Sequence, residues 1–198
     1  MRVTSFRMVD GRVRNLTAHY ERLDITDPTA INAQLRSAGP GAFFPLIDAS
    51  GTVTLRPDRP FSPLITVDPR PHFDARTNPT VKGPDLAWLD ERQAASQRRG
   101  FDEGILMDSS GVLVEGVFSA LIVWRDGEPV ASAHPRALNS TTLAAVRQLM
   151  DIDLDLLTPE DLCQPLWLLN AFSGVRTTDE SYPVEEINAR LWELAESV

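Results

Sequence analysis

The chain has 198 residues and a formal net charge of −9, with 42% apolar and 24% charged residues. This is the composition of a globular protein of one large or two small domains, and the acidic balance argues against a nucleic-acid partner, because no basic stripe exists to displace phosphate counterions. No apolar run reaches the length of a membrane span, the opening "MRVTSFRMVD" lacks an apolar signal core, and the single cysteine, Cys163, excludes an internal disulfide and fits a reducing cytoplasm.

In chain order, "VTSFRMVDGRVR" reads as two strands around the turn Asp10-Gly11. "NLTAHYERLD" follows as a short helix capped by Asn15 or Thr17. "DPTAINAQLRSAG" reads as a second helix, with Pro28 near its start and Gly39 past its end. "TVTLRP" and "PLITVDP" read as strands, and the four-proline stretch "PRPHFDARTNPTVKGP" as a crossover between two halves. "PDLAWLDERQAASQRRG" is a helix with Pro84 in its first turn and Gly100 beyond its end. "DEGILMD", "GVLVEG", "ALIVWRDGEPVAS" and "PLWLLNAF" are apolar segments separated by turns, as in a mostly antiparallel sheet. "STTLAAVRQLM" and the closing "PVEEINARLWELAESV" read as helices. The expected fold class is α+β in two lobes: a small N-terminal lobe over residues 1–70, a linker over 71–83 and a larger lobe over 84–198.

Several chemistries drop out. His19, His72 and His134 lie far apart and share no ligand spacing with Cys163, which disfavours a zinc site. There is no nucleophile elbow and no P-loop. "SSG" at 109–111 reads as a hairpin turn. What stands out is Lys82, the only lysine, in a chain whose other basic residues are all arginine. A stray surface lysine in an arginine-rich sequence is the plain alternative. Yet arginine stays protonated, whereas a buried lysine can lose its proton and attack a carbonyl.

Around Lys82 the sequence resembles the class IV aminotransferases, pyridoxal-phosphate enzymes of fold type IV that include branched-chain and D-amino-acid aminotransferases and aminodeoxychorismate lyase. Four segments in order carry the resemblance. "HYERL" at 19–23 is similar to the family's H-x-x-R-L helix, which implies that Arg22 binds the cofactor phosphate. "KGPDLAWLDERQAASQRRGFDEGILMDSSGVLVEG" resembles the stretch from the Schiff-base lysine to the glutamate under the pyridine ring, which implies those roles for Lys82 and Glu115. "LNSTTLAAV" stands where the family cradles phosphate at a helix start, implying Thr141 and Thr142. "LLNAFSGVR" resembles the lyase-like form of the last phosphate loop, with Asn170 and Ala171 at its centre.

The chemistry agrees with this assignment. The cofactor needs an amine, a carboxylate at the ring nitrogen makes the ring an electron sink, and phosphate wants helix-start N–H groups plus an arginine. There are departures. Ala87 and Trp88 stand where many relatives have a tyrosine, Ser140 and Leu143 replace a glycine and an arginine at the phosphate helix, and Ser119 or Ala120 replaces an asparagine. The chain opens at "TSFR", close to the end of the family's first segment. The resemblance implies a pyridoxal-phosphate enzyme acting on an amino-acid-like substrate, of aminotransferase or lyase type, with "RPHFDARTNP" as a substrate loop, and a homodimer. The alternative is a degenerate relative that keeps the fold as a binding or dimeric scaffold.

Overall fold

The computed structural model describes residues 1–198. Its centre is a five-stranded sheet in the spatial order Asp153–Asp155, Glu128–Ser132, Ala120–Arg125, Leu166–Asn170, Gly174–Thr177. All pairings are antiparallel except that of the outermost strand, Asp153–Asp155. Strand alternation explains the layers. Ala120, Ile122, Trp167 and Leu169 face one side, packing on helices α4 (Thr141–Val146) and α5 (Glu185–Glu193) through Ala145, Val146, Ile187 and Leu191. Leu121, Val123, Leu166 and Leu168 face the other, against Ile65, Ile105, Leu113 and Leu157. Asp126-Gly127 turns the central hairpin with positive φ at both residues (52° and 86°), the geometry that matches strand twist.

The N-terminal half has its own core. Phe6, Met8, Val13 and Leu16 meet Ile31 and Leu35 from α2 (Thr29–Arg36). The opening segment is split. Only Met8–Val9 and Arg12–Val13 form the hairpin around Asp10-Gly11, while Val3–Ser5 pairs with Leu46–Asp48. Helix α1 (Leu16–Glu21) is capped neither by Asn15 nor by the Thr17 hydroxyl. Asn15 sits in the left-handed region (φ 53°) and donates to the Thr141 carbonyl at 2.7 Å. The cap comes from the far end of the chain: the Glu196 carboxylate accepts from both the Thr17 N–H and its hydroxyl. For this the last helix stops at Glu193, and Glu196–Ser197 runs on as a strand beside Arg12–Val13.

Two further sequence expectations change. "PLITVDP" makes only isolated bridges, at Leu64 and Val67, because its neighbours Thr177 and Glu103 are reached one residue at a time. The 71–83 segment is more than a crossover: His72–Phe73 pairs in parallel with Leu106–Met107, in one sheet with Leu113–Gly116. The Asp85 carboxylate then accepts the N–H groups of Thr77 and Asn78, and α3 (Leu86–Arg98) begins directly after it.

Leu168 is fully buried in the middle of the central sheet. Leu168→Ala should lower the unfolding free energy by about 2–5 kcal/mol, through lost transfer energy and a residual cavity. Urea unfolding checks this, and a loss below about 1 kcal/mol would contradict the packing described.

Candidate active site

A cleft opens between the loop that carries Lys82, the strand Leu113–Gly116 and the start of α4. Lys82, Arg22, Glu115, Thr141, Thr142, Asn170 and Ala171 all line it. A second compartment, lined by Arg2, Glu21 and Asn139 among others, adjoins it and shares Lys82, Arg22 and Thr141.

Lys82 sits on the loop before α3, held from behind by the first strand. The Val3 N–H donates to the Lys82 carbonyl at 2.8 Å. Gly83 (φ 137°) passes so close that a Cβ there would lie 2.0 Å from the Met1 carbonyl oxygen, so this position requires glycine. The Lys82 amine has no hydrogen-bond or ion-pair partner in the protein. Burial, together with the nearby Arg22 guanidinium, lowers its pKa to about 8, against an opposing pull from Glu115.

Glu115 rises from the strand Leu113–Gly116. Its Oε1 accepts from Arg76 at 2.7 Å and from the Leu138 N–H at 3.0 Å, while Oε2 has no protein partner. Burial pushes this carboxyl up, and Arg76 opposes the shift. Arg76 also binds Asp74 through Nε and Nη2, at 2.8 and 3.0 Å, and Asp74 in turn accepts from Arg136 at 2.9 Å. Burial works against the Arg76 charge, but its two carboxylate partners outweigh it and its pKa rises. The sequence reading missed Asp74, Arg76 and Arg136. In an arginine-rich chain nothing marks one arginine as structural, although "FDARTNP" had been singled out as a loop.

Arg22 closes α1 and donates to the Asn139 carbonyl at 2.6 Å. Ser140, rather than either threonine, caps α4, its Oγ accepting from the Leu143 N–H at 3.2 Å. The Thr141 hydroxyl lies 3.3 Å from His19 Nε2, and His19 Nδ1 lies 2.6 Å from the Thr4 hydroxyl. Burial, with Arg22 and Lys82 nearby, drives the His19 pKa well down, so this bridge between the lobes is a neutral imidazole. Asn170 faces the cavity, but its Oδ1 is engaged by the N–H groups of Phe172 and Ser173 and by the Ser173 hydroxyl. Its Nδ2 donates to Ser119, which stands near the position of the expected asparagine. No carbonyl or side chain accepts from the N–H groups of Ser140 and Ala171, two residues that line the cavity. Leu143 packs on the main core, and Trp88 on a small cluster of Leu106, Val114 and Val117. No cluster of side chains with metal-ligating chemistry is present.

A family model described as amino-transferase class IV matches residues 46–180. No curated protein sequence matches the chain. Among solved structures, a protein assigned as a 4-amino-4-deoxychorismate lyase superposes with a TM-score of 0.82 at 17% identity, over 96% of this chain and 89% of that one. A fold IV-transaminase from Curtobacterium pusillum gives 0.74 at 22%, over 96% and 83%. A hypothetical aminotransferase from Mycobacterium tuberculosis, in its α-ketoglutarate- and PMP-bound form, gives 0.74 at 16%, over 97% and 87%. At these identities the likeness is one of fold. The antiparallel sheets and mixed helices agree with the α+β class expected from sequence.

The lowered lysine pKa sets a pH expectation. Acylation of Lys82 by a small amine-directed reagent should rise through a midpoint near pH 8, whereas an ordinary lysine titrates near 10.5. In linkage terms, the folded state binds fewer protons than the unfolded one between those two values. Lys82 therefore costs stability below about pH 8, and the cost fades as pH rises toward 10.5. Lys82→Met should thus gain stability near pH 7, with the gain shrinking by pH 10. Peptide mapping of acylated lysine against pH, with melting curves, checks both; a midpoint above pH 10 would contradict the site described.

Proposed function

This chain belongs to the amino-transferase class IV family, and we propose that it is a pyridoxal-phosphate enzyme acting on an amino-acid-like substrate through a Schiff base at Lys82. One observation carries the reading. The only lysine of the chain places an unpartnered amine of lowered pKa in a cavity that also holds a carboxylate oxygen free of protein bonds, Glu115 Oε2.

The residues present fit the cofactor. The Lys82 amine has no partner in the protein and lines the cavity, where a carbonyl can reach it. The idle N–H groups of Ser140 and Ala171, with Arg22 and the hydroxyls of Thr141 and Thr142, are the donors a phosphate needs. Asn170 supports that set by folding the turn that presents Ala171. Bound there, the cofactor supplies an electron sink for charge developing at the substrate carbon.

The remaining work falls to the chain itself. With a pKa of about 8, roughly a tenth of the Lys82 amine is neutral at pH 7 and able to attack a carbonyl. Once free again, Nζ can take and return a proton at the substrate carbon. Glu115 Oε2 would hold positive charge on the bound ring, and Arg76 fixes that carboxylate in place through Oε1. Transamination and elimination share these first steps. The "NAFSGVR" turn and the absence of a tyrosine at Ala87–Trp88 favour the lyase-like branch within this reading. We place the active unit in a homodimer in the cytoplasm. No helix is long and apolar enough to cross a membrane.

Purified protein incubated with pyridoxal phosphate should show a near-visible absorption band that borohydride fixes to Lys82 and that Lys82→Ala abolishes. Glu115→Ala should keep the fold and lose about 100-fold or more in turnover, the scale of removing one electrostatic stabiliser from an active site. A wild-type chain with no such band would refute the reading. Full turnover in Glu115→Ala would refute the role of that residue.

A further inference from the structure

We propose that Glu103 is a positioning residue: through the Ser119 hydroxyl and the Asn170 amide it sets the turn whose Ala171 N–H receives the anionic group of the ligand. This rests on the reading of the cavity as an active site, and Glu103 lies outside the residues marked from sequence.

Glu103 is buried and does not line the cavity, yet it bonds residues that do. Its Oε1 accepts from the Phe118 N–H at 3.1 Å, and its Oε2 from the Ser119 hydroxyl at 3.0 Å. Arg176 donates to Oε2 and pairs its charge. A Cβ on Gly116, the residue after Glu115, would stand 2.8 Å from Oε1, so this carboxylate is seated against the strand that carries Glu115. From Ser119 the bonds run on. Asn170 Nδ2 donates to the Ser119 oxygen at 3.1 Å, and Asn170 Oδ1 accepts from the N–H groups of Phe172 and Ser173 at 3.0 and 2.8 Å. Phe118, Ser119, Asn170 and Ala171 all line the cavity.

The order of donors along this path is forced. A carboxylate paired with an arginine only accepts, so the Ser119 proton points to Glu103 and the Ser119 oxygen is left to accept. It therefore takes the NH2 side of the Asn170 amide, and the amide oxygen is turned to the N–H groups of Phe172 and Ser173. Without Glu103 the Ser119 proton is free to donate to Asn170. The amide can then turn over, and its NH2 group meets two N–H donors across the turn. The carbonyls of Ala171 and Phe172 are held by the Arg7 N–H at 3.0 Å and by Arg14 at 2.8 Å. Of the N–H groups of Ala171, Phe172 and Ser173, only the first has no acceptor in the protein. A donor fixed in this way serves an anion well, because little reordering accompanies binding. The pair with Arg176 explains how the carboxylate can act from a buried position, since a buried charge is tolerated when it is paired and hydrogen-bonded.

The test titrates inorganic phosphate into the purified full chain without cofactor and follows the Ala171 backbone amide by heteronuclear NMR. Ser119→Ala breaks the path and leaves the Glu103–Arg176 pair intact. It should weaken phosphate binding by about 10-fold, the low end for a hydrogen bond to a charged group. Glu103→Gln should weaken binding in the wild-type background and add less than about 2-fold once Ser119 is alanine, since both act on one path. Uptake by Lys82 of pyridoxal, which lacks the phosphate, should stay within about 2-fold of wild type in Ser119→Ala, read by absorbance. Wild-type phosphate affinity in Ser119→Ala overturns the proposal, and this variant decides the matter if the glutamine protein does not fold. Additive losses from the two substitutions overturn it, as does a wild type with no phosphate response at Ala171. An equal loss of pyridoxal and phosphate binding also overturns it, because the path would then be a support of the fold. If the wild type takes up neither pyridoxal nor its phosphate ester at Lys82, the functional reading fails, and the phosphate titration still decides whether Glu103 sets an anion site at Ala171.

Discussion

Arg76 holds two buried carboxylates at once, and much of the site depends on that double hold. Its guanidinium reaches Asp74 on its own segment and Glu115 on the strand Leu113–Gly116, and it also donates to the carbonyls of Pro79 and Arg136. Arg136 adds a second cation on Asp74, so two acids and two bases balance. In a low-dielectric interior, removing Arg76 would strand both carboxylates, at a cost far greater than the network stabilises. The segment before Lys82 therefore cannot drift. On its other side Asp85 ties down Thr77 and Asn78, and Gly83 lies against Met1. The loop that carries the lone lysine is clamped at both ends, opposite a glutamate whose orientation the same arginine sets.

The charge distribution is as informative as the geometry. A chain of net charge −9 lines its cavity with Arg22 and Lys82, neither of which has an acidic partner within hydrogen-bonding distance. Burial lowers the pKa of Lys82 to about 8, with Arg22 adding to it, and that of Arg14 to about 10, with Arg7 adding to it. His19, caught between the lobes, stays neutral for the same reason and serves as a hydrogen-bonded bridge between Thr4 and Thr141.

Local signals proved readable where a residue type has one dominant use. The only lysine, the turn glycines and the alternating apolar runs of "ALIVW" and "PLWLL" lead to the loop, the hairpins and the layered sheet. Local signals misled where a distant segment supplied the partner. Asn15 has the side chain of an N-cap, yet it bonds Thr141, and Glu196 caps that helix from nearly the whole chain length away. The last helix stops early for the same contact. The proline-rich 71–83 stretch carries no period, yet Leu106–Met107 draws two of its residues into a sheet.

The sequence by itself determined the family resemblance, the α+β class and the position of the only lysine, because these follow from residue type, order and spacing. Which arginine of eighteen pairs with a carboxylate, which stacks on a ring with a donor left over, and which stands at the cavity wall was decided only by the tertiary structure. The physical reason is that an arginine's role is set by what lies within hydrogen-bonding reach of its guanidinium. For Arg76, Arg56 and Arg22 those neighbours are Glu115, Phe44 and Asn139, brought close by folding rather than by adjacency in the chain.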